Sequence, residues 1–183
     1  MNIINQIRTK AGDIYLKKSQ PASRPNRRMI ALSEAKTIGV FYNLESEDDY
    51  KLICDWQKIF QEKQIQVKAL GFFNGNIKPI YAIEKLSLDF YFTKDLNWFG
   101  KPTSNYVRDF INFDFDIFID FSLKDSFQNL YVSQMSKAKF KVGRDETGHA
   151  KIYDFMLKID AGTSVSEYSN FILHYLQMFN NQL

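Results

Sequence analysis

Strand-like and helix-like segments alternate along this chain, and this alternation constrains its fold more than any other feature. Short runs rich in β-branched and aromatic residues predict strands at 37–42, 65–70, 88–92, 116–121 and 137–142. Apolar residues that recur every three or four positions predict helices at 46–63, 105–111, 126–136 and 164–180. Repeated strand–helix–strand order predicts an α/β protein, a three-layer Rossmann-like sandwich with a mostly parallel sheet and right-handed crossovers.

The last predicted strand, at 152–159, follows a connection of a different kind. Residues 143–151 contain Gly148 and show no helical periodicity, which is typical of a hairpin. The sequence therefore predicts an antiparallel strand at the edge of the sheet. In the preceding segment, KAKFKV, charged and apolar residues alternate, which predicts a solvent-exposed face that carries Lys137, Lys139 and Lys141.

The N-terminal segment differs from the rest of the chain in charge. Residues 1–36 contain eight Lys or Arg and only two acids, a net charge of +6 against +3 for all 183 residues. A helical apolar pattern begins this segment, with Ile3, Ile4, Ile7, Ala11, Ile14 and Tyr15. Pro21 and Pro25 indicate an irregular connector after that helix. We therefore predict a basic helix and connector at 1–33 and a single Rossmann-like domain at 34–183.

A basic arm of this kind binds nucleic acid, an anionic membrane surface or the acidic body of its own chain. We expect the last of these, and the first two stay open for residues 1–36. The sequence has no apolar run long enough for a transmembrane segment and no apolar core of a signal peptide. A single cysteine excludes an intramolecular disulfide, so the expected location is cytoplasmic.

The motifs that would indicate a reaction are missing. The loop after the first strand, NLESEDD (43–49), contains no glycine and four acids, which would repel a pyrophosphate. The chain has neither GxxxxGK[ST] nor GxSxG, and two histidines and one cysteine are too few for a structural zinc site. We therefore name no catalytic residue and expect neither a metal nor a cofactor.

A ligand site can still be predicted from the strand ends. In open α/β sheets, ligands bind at the carboxyl ends of the strands, where the strand order reverses. Polar side chains collect there after the first, fourth and fifth predicted strands. The candidate ligand-binding residues are Asn43, Glu45, Asp120, Ser122, Lys124 and Arg144.

Four segments, AKTIGVFYN, FDIFIDFS, SKAKFKVGR and YDFMLKI, resemble an uncharacterised bacterial family, a domain of unknown function. This resemblance covers residues 34–179 and implies the fold but no reaction. The segment at 115–144 is also similar to the N-terminal Rossmann-like half of heptosyltransferases. That similarity implies framework positions at Asp116, Asp120, Ala138 and Gly143, although the chain is too short for the second Rossmann-like half of those enzymes.

The function expected from these features is that of a non-catalytic cytoplasmic binding or interaction domain. Its partner is not identified by the sequence, and a protein partner or a homodimer stays open. A small enzyme of unrecognised chemistry, such as a glycosyltransferase-like half domain, is one alternative. An RNA- or ribosome-associated protein that uses the basic arm is the other.

Overall fold

The computed structural model describes residues 3–179, with side chains from residue 6 onward, and these residues form a six-stranded parallel sheet between two layers of helices. The strands are Thr37–Asn43 (β1), Gln66–Phe73 (β2), Leu88–Phe92 (β3), Ile117–Asp120 (β4), Phe140–Arg144 (β5) and Phe155–Leu157 (β6). The helices are Ile3–Lys18 (α1), Glu47–Glu62 (α2), Asn105–Asn112 (α3), Phe127–Met135 (α4) and Val165–Met178 (α5). The predicted three-layer Rossmann-like α/β fold is confirmed.

The strand order is β3-β2-β1-β4-β5-β6, so the order reverses between β1 and β4. Helices α2 and α5 cover one face of the sheet through Trp56, Phe60 and Ile172. Helices α1, α3 and α4 cover the other face, where Phe110 and Tyr131 pack with the β-strand residues. The crevice at the carboxyl ends of β1 and β4 is therefore open between two helical layers.

The predicted antiparallel direction of the edge strand is wrong, because β6 runs parallel to β5. The chain crosses back over the sheet with one 3₁₀ turn at His149–Lys151 in place of an α-helix, and the Tyr153 ring lies directly on Gly143. A Cβ atom at Gly143 would approach that ring to about 2.5 Å, so only glycine leaves room for this flat crossover. The backbone N–H of Asp154 then donates to the Lys141 carbonyl at 2.8 Å, at the beginning of β5.

The predicted solvent-exposed face of the 137–142 segment is wrong for Lys141, which is only 1% exposed. Its ammonium group donates to the Ser133 carbonyl at 2.6 Å, in the last turn of α4, where the helix dipole favours a cation. Burial, together with the positive charge of Arg24, lowers the pKa of Lys141 to about 7. Lys141 lies opposite Phe140 and Val142 as the alternation predicts, but its face is covered by α4 and the N-terminal connector. Ala138, predicted on the face of Phe140 and Val142, packs instead in the layer of α1, α3 and α4.

The N-terminal segment packs on the sheet domain rather than extending into solvent. Gly12 of α1 allows close contact with the Phe127 ring of α4, since a Cβ atom there would lie 2.8 Å from it. Leu16 is buried in the same layer, whereas Ile7 and Ile14 are more than half exposed. The side chains of Ile3 and Ile4 lie outside the described part of the chain. The division of the chain at residue 33 stays a prediction.

Arg24 connects the N-terminal segment to the far edge of the sheet. Its guanidinium donates to the carbonyls of Ala138 and Lys139, at 2.6 and 2.9 Å, and pairs with the Asp154 carboxylate. The side chains of Arg24 and Asp154 are each only 10% exposed. We call this arrangement the Arg24 clasp.

The surroundings of Asp116, just before β4, make the stability of the fold depend on pH. Burial would raise its pKa, but the Lys139 ammonium at 2.6 Å and the backbone N–H groups of Lys36 and Thr37 outweigh that effect and lower it. A lowered folded-state pKa contributes stability above the ordinary aspartate pKa of about 3.9, and this contribution is lost as the pH falls further. At pH 7 we expect Asp116→Asn to lower the free energy of unfolding by about 1–3 kcal/mol, since charged hydrogen bonds are lost.

Urea unfolding of the wild type and Asp116→Asn between pH 7 and pH 3 measures this effect. The difference between the two proteins should shrink as the pH falls through the acid range. A difference that stays constant over that range would contradict the assignment.

Candidate functional site

A large cleft opens at the carboxyl ends of the strands, on the side of the sheet covered by α1 and α4. Its volume is about 860 Å³, and we call it the switch-point cleft. The ends of β1 and β2, the loop after β3 and the first residues of α4 form its floor and walls. Three residues of α1, Arg8, Thr9 and Asp13, form one further wall.

A second and smaller cavity lies on the other side of the same crevice, between the beginnings of α2 and α5. Its volume is about 150 Å³, and we call it the small cavity. The loops after β1 and β4 line it, together with Asp49 of α2 and Val165 of α5. Asn43, Glu45 and Lys124 line both cavities. Ser122 lines the small cavity as well, so the structure brings four of the six candidate residues together where strand order reverses.

Glu45 and Lys124 give the crevice one charge of each sign. Both residues are exposed, and neither side chain has an ion-pair partner among the residues that the structure describes. The neighbouring acid Asp49 is different, because its carboxylate accepts from the backbone N–H groups of Glu45 and Ser46 in a capping box. In the acidic loop at 43–49, the Glu45 carboxylate therefore lies beside both cavities without an ion-pair partner among the described residues.

Asp120, at the end of β4, is a candidate residue that the structure places below the crevice. It is 2% exposed and lines neither cavity. One carboxylate oxygen accepts from the Ser122 backbone N–H at 2.8 Å. The other accepts from Asn129, Ser133 and Tyr153, at 3.1, 3.2 and 2.6 Å. Its hydrogen-bonding capacity is therefore used inside the fold.

Burial raises the pKa of the Tyr153 hydroxyl well above its ordinary value, and the Asp120 carboxylate raises it further. Tyr153 therefore stays protonated and continues to donate to Asp120. This network connects β4, α4 and the crossover before β6, which gives it a structural role.

Ser122 lines the small cavity and is 3% exposed. Its hydroxyl has no hydrogen-bond partner among the residues that the structure describes. A buried hydroxyl without a partner is unfavourable by about 1–3 kcal/mol, so such a group is uncommon in a folded protein. Ser122 is therefore the candidate residue whose hydroxyl is most clearly available to a ligand.

Arg144, the last candidate, lines neither cavity. Its guanidinium pairs with Asp125 at 2.7 Å and with Glu146 at 3.1 Å. His149 approaches the same Asp125 carboxylate at 3.1 Å. Arg144 thus supports the loop before α4 and contacts the cleft only through Asp125.

Sequence reasoning missed the aromatic walls and the α1 wall of the switch-point cleft. The aromatic residues Phe72, Phe73, Phe99 and Phe127 line it. A signal for α1 was present in Gly12, which interrupts the apolar pattern of the helix on the side that packs closely on Phe127. Within residues 3–179, no three His, Cys, Asp or Glu side chains are grouped as they would need to be to hold a metal ion.

Within the same residues, no helix combines the length and apolarity that a membrane-spanning helix requires.

A family model described as a family of unknown function (DUF6913) matches residues 8–179. No curated protein and no solved structure matches the chain. The match confirms the resemblance to a domain of unknown function, and nothing in these comparisons supports the one to heptosyltransferases.

Proposed function

Since the chain belongs to a family of unknown function (DUF6913), we propose its function from the crevice itself: it is a non-catalytic domain that binds a small neutral or zwitterionic molecule in the switch-point cleft. The observation that carries this proposal is the cleft of about 860 Å³ at the reversal of strand order. Ligand pockets typically have volumes of about 300–1,000 Å³, and open α/β sheets bind ligands at this position.

The chemistry of the walls supports a ligand with both apolar and polar parts. Four phenylalanine rings line the cleft, and the amides of Asn43 and Asn74 lie among them. Aromatic walls with a few polar groups are typical of small-molecule sites, because the rings supply contact area and the polar groups fix orientation.

The charges support a ligand without large net charge. Arg8 and Lys124 bring positive charge to the cleft, and Asp13 and Glu45 bring negative charge. Asp125 also lines the cleft, but its carboxylate is paired with Arg144. A polyphosphate would meet Glu45 and Asp13, and no glycine-rich loop is present after β1 to bind it.

The position of Asp120 supports binding over acid–base catalysis. It is the carboxylate nearest the end of the central strand β4, and four donors already occupy it. A general base needs to reach the proton of a bound substrate, and a buried carboxylate that lines neither cavity does not.

Three arginines of the basic arm form ion pairs within the chain, which supports a role on its own domain over a nucleic-acid or membrane interface. Arg24 and Arg27 both pair with Asp154, and Arg28 pairs with Glu34.

A reducing cytoplasmic location fits the free thiol of Cys54. In this proposal, residues 34–183 form the binding domain and α1 is a wall of its cleft.

The test is native mass spectrometry of the full chain, with metabolite analysis of any retained small molecule. Asn74 and Asn76 are both exposed residues of the loop after β2, but only Asn74 lines the cleft. We expect Asn74→Trp to fill the cleft and reduce retention at least tenfold. The matched variant Asn76→Trp should retain the wild-type amount.

Equal retention by Asn74→Trp and Asn76→Trp would contradict the proposed site. A polyphosphate or nucleic acid as the retained molecule would contradict the proposed ligand class.

A further inference from the structure

The small cavity contains a buried hydrogen-bonding group that the protein itself does not satisfy. Ser122 is 3% exposed, it lines this cavity, and within the described part of the chain its hydroxyl has no hydrogen-bond partner. Folding gains nothing from this hydroxyl, because an alanine would fill nearly the same volume without the cost of burying a polar group. A ligand that hydrogen-bonds to Ser122 removes that cost, so the hydroxyl points to a ligand in the small cavity.

The two walls of the small cavity carry opposite charges. The loop after β1 brings the Glu45 carboxylate, and the loop after β4 brings the Lys124 ammonium. Neither has an ion-pair partner within the described residues. The helices α2 and α5 also begin at this cavity, and their dipoles favour a negative ligand group there. A ligand that carries one positive and one negative group close together matches both walls.

The size of the small cavity limits that ligand group. At roughly 30 Å³ for each water-sized group, 150 Å³ holds about five of them. This is the size of the ammonium, α-carbon and carboxylate of an amino acid. The neighbouring switch-point cleft, which shares Asn43, Glu45 and Lys124, is large enough for a side chain and has aromatic walls to receive it.

We propose that the ligand is a free α-amino acid whose charged head group binds in the small cavity and whose side chain extends into the switch-point cleft. The α-carboxylate accepts from the Ser122 hydroxyl and the Lys124 ammonium. The α-ammonium donates to the Glu45 carboxylate, and the Asn43 amide completes the head-group site. This inference rests on the proposed function, since it names the ligand class of the same crevice.

Isothermal titration calorimetry with the full chain and each common L-amino acid tests this inference. We expect at least one amino acid with an apolar or aromatic side chain to bind. Its deaminated analogue, which lacks the ammonium, and its decarboxylated analogue, which lacks the carboxylate, should each bind at least tenfold more weakly. Hydrogen bonds to charged groups account for a loss of that size.

Variants assign the two charges to their walls. Glu45→Gln should weaken binding of the amino acid at least tenfold but leave the weak binding of the deaminated analogue unchanged. Lys124→Gln should also weaken binding of the amino acid at least tenfold, but it should leave the weak binding of the decarboxylated analogue unchanged. Glu62→Gln and Lys63→Gln, exposed residues near the other end of α2, are the matched controls and should bind like the wild type.

Ser122→Ala separates a binding role from a structural one. We expect its urea midpoint to be equal to or higher than that of the wild type, because an unpartnered hydroxyl is removed. Its affinity for the amino acid should fall at least tenfold.

The inference is overturned if no amino acid binds at millimolar concentration, if the deaminated analogue binds as tightly, or if Ser122→Ala binds like the wild type. A different small molecule that is retained by the wild type and lost in Asn74→Trp would overturn the amino-acid ligand while supporting the proposed function. If no amino acid binds and the wild type retains no small molecule, both the amino-acid ligand and the proposed function are overturned.

Discussion

Arg24→Ala is expected to lower the free energy of unfolding by about 3 kcal/mol or more, although residue 24 lies in a connector before the first strand. The contacts of the Arg24 clasp explain why the expected loss of stability is large. The substitution removes the donor to the carbonyls of Ala138 and Lys139, and it leaves the Asp154 carboxylate with the more exposed Arg27. Breaking an ion pair with little exposure costs far more than breaking a pair in solvent, because the remaining charge stays partly desolvated.

Arg28→Ala is the control for this prediction. Arg28 pairs with Glu34, but both side chains are largely exposed, so the expected loss is between about 0 and 1 kcal/mol. Urea unfolding of both variants at pH 7 makes the comparison. If Arg24→Ala unfolds at the same midpoint as Arg28→Ala, the clasp does not hold the N-terminal segment on the sheet.

Asp120→Ala is expected to lower the free energy of unfolding by about 3–5 kcal/mol, since several buried donors lose one acceptor together. The Ser122 backbone N–H, the Asn129 amide and the hydroxyls of Ser133 and Tyr153 all donate to this carboxylate. Asp120→Asn should cost less, because the amide oxygen can still accept from part of this network.

Asp114→Ala is the matched control, because Asp114 precedes the same strand but is exposed, and its effect should be within about 0.5 kcal/mol. Urea unfolding at pH 7 measures all three variants. An Asp120→Ala protein as stable as Asp114→Ala would contradict the structural role. In that case Asp120 would be free to contact a ligand.

Local patterns were sufficient to predict much of the fold. The strand Leu88–Phe92 has the predicted bounds, and α2 begins directly after Ser46, where the predicted helix at 46–63 starts, with a capping box of Ser46 and Asp49. Both features depend on residues close together in the sequence. The direction of β6 depends on a contact across the sheet, in which Tyr153 occupies the space left by Gly143. The periodicity of residues 152–159 contains no information about that contact.

The candidate residues also fall into two groups, those whose position follows from local sequence and those whose role depends on contacts with other elements. Asn43, Glu45 and Lys124 come together because strand ends share one edge of a parallel sheet, a rule that applies before any contact is known. Asp120 and Arg144 follow the same rule by position, but partners from other elements engage their side chains. Those partners, such as Tyr153 and Asp125, could not be assigned from sequence spacing.

The Arg24 clasp also affects the order in which the protein folds. It joins residue 24 to positions 114 and 130 residues later, so this connector is synthesised long before its partners. The β1–α2–β2 unit contains its own contacts and can form while synthesis continues. The Arg24 clasp cannot form until β5 and Asp154 have emerged, and contacts of such high sequence separation form slowly. We therefore expect the docking of the connector around Arg24 to be a late folding step, although this connector is translated well before its partners.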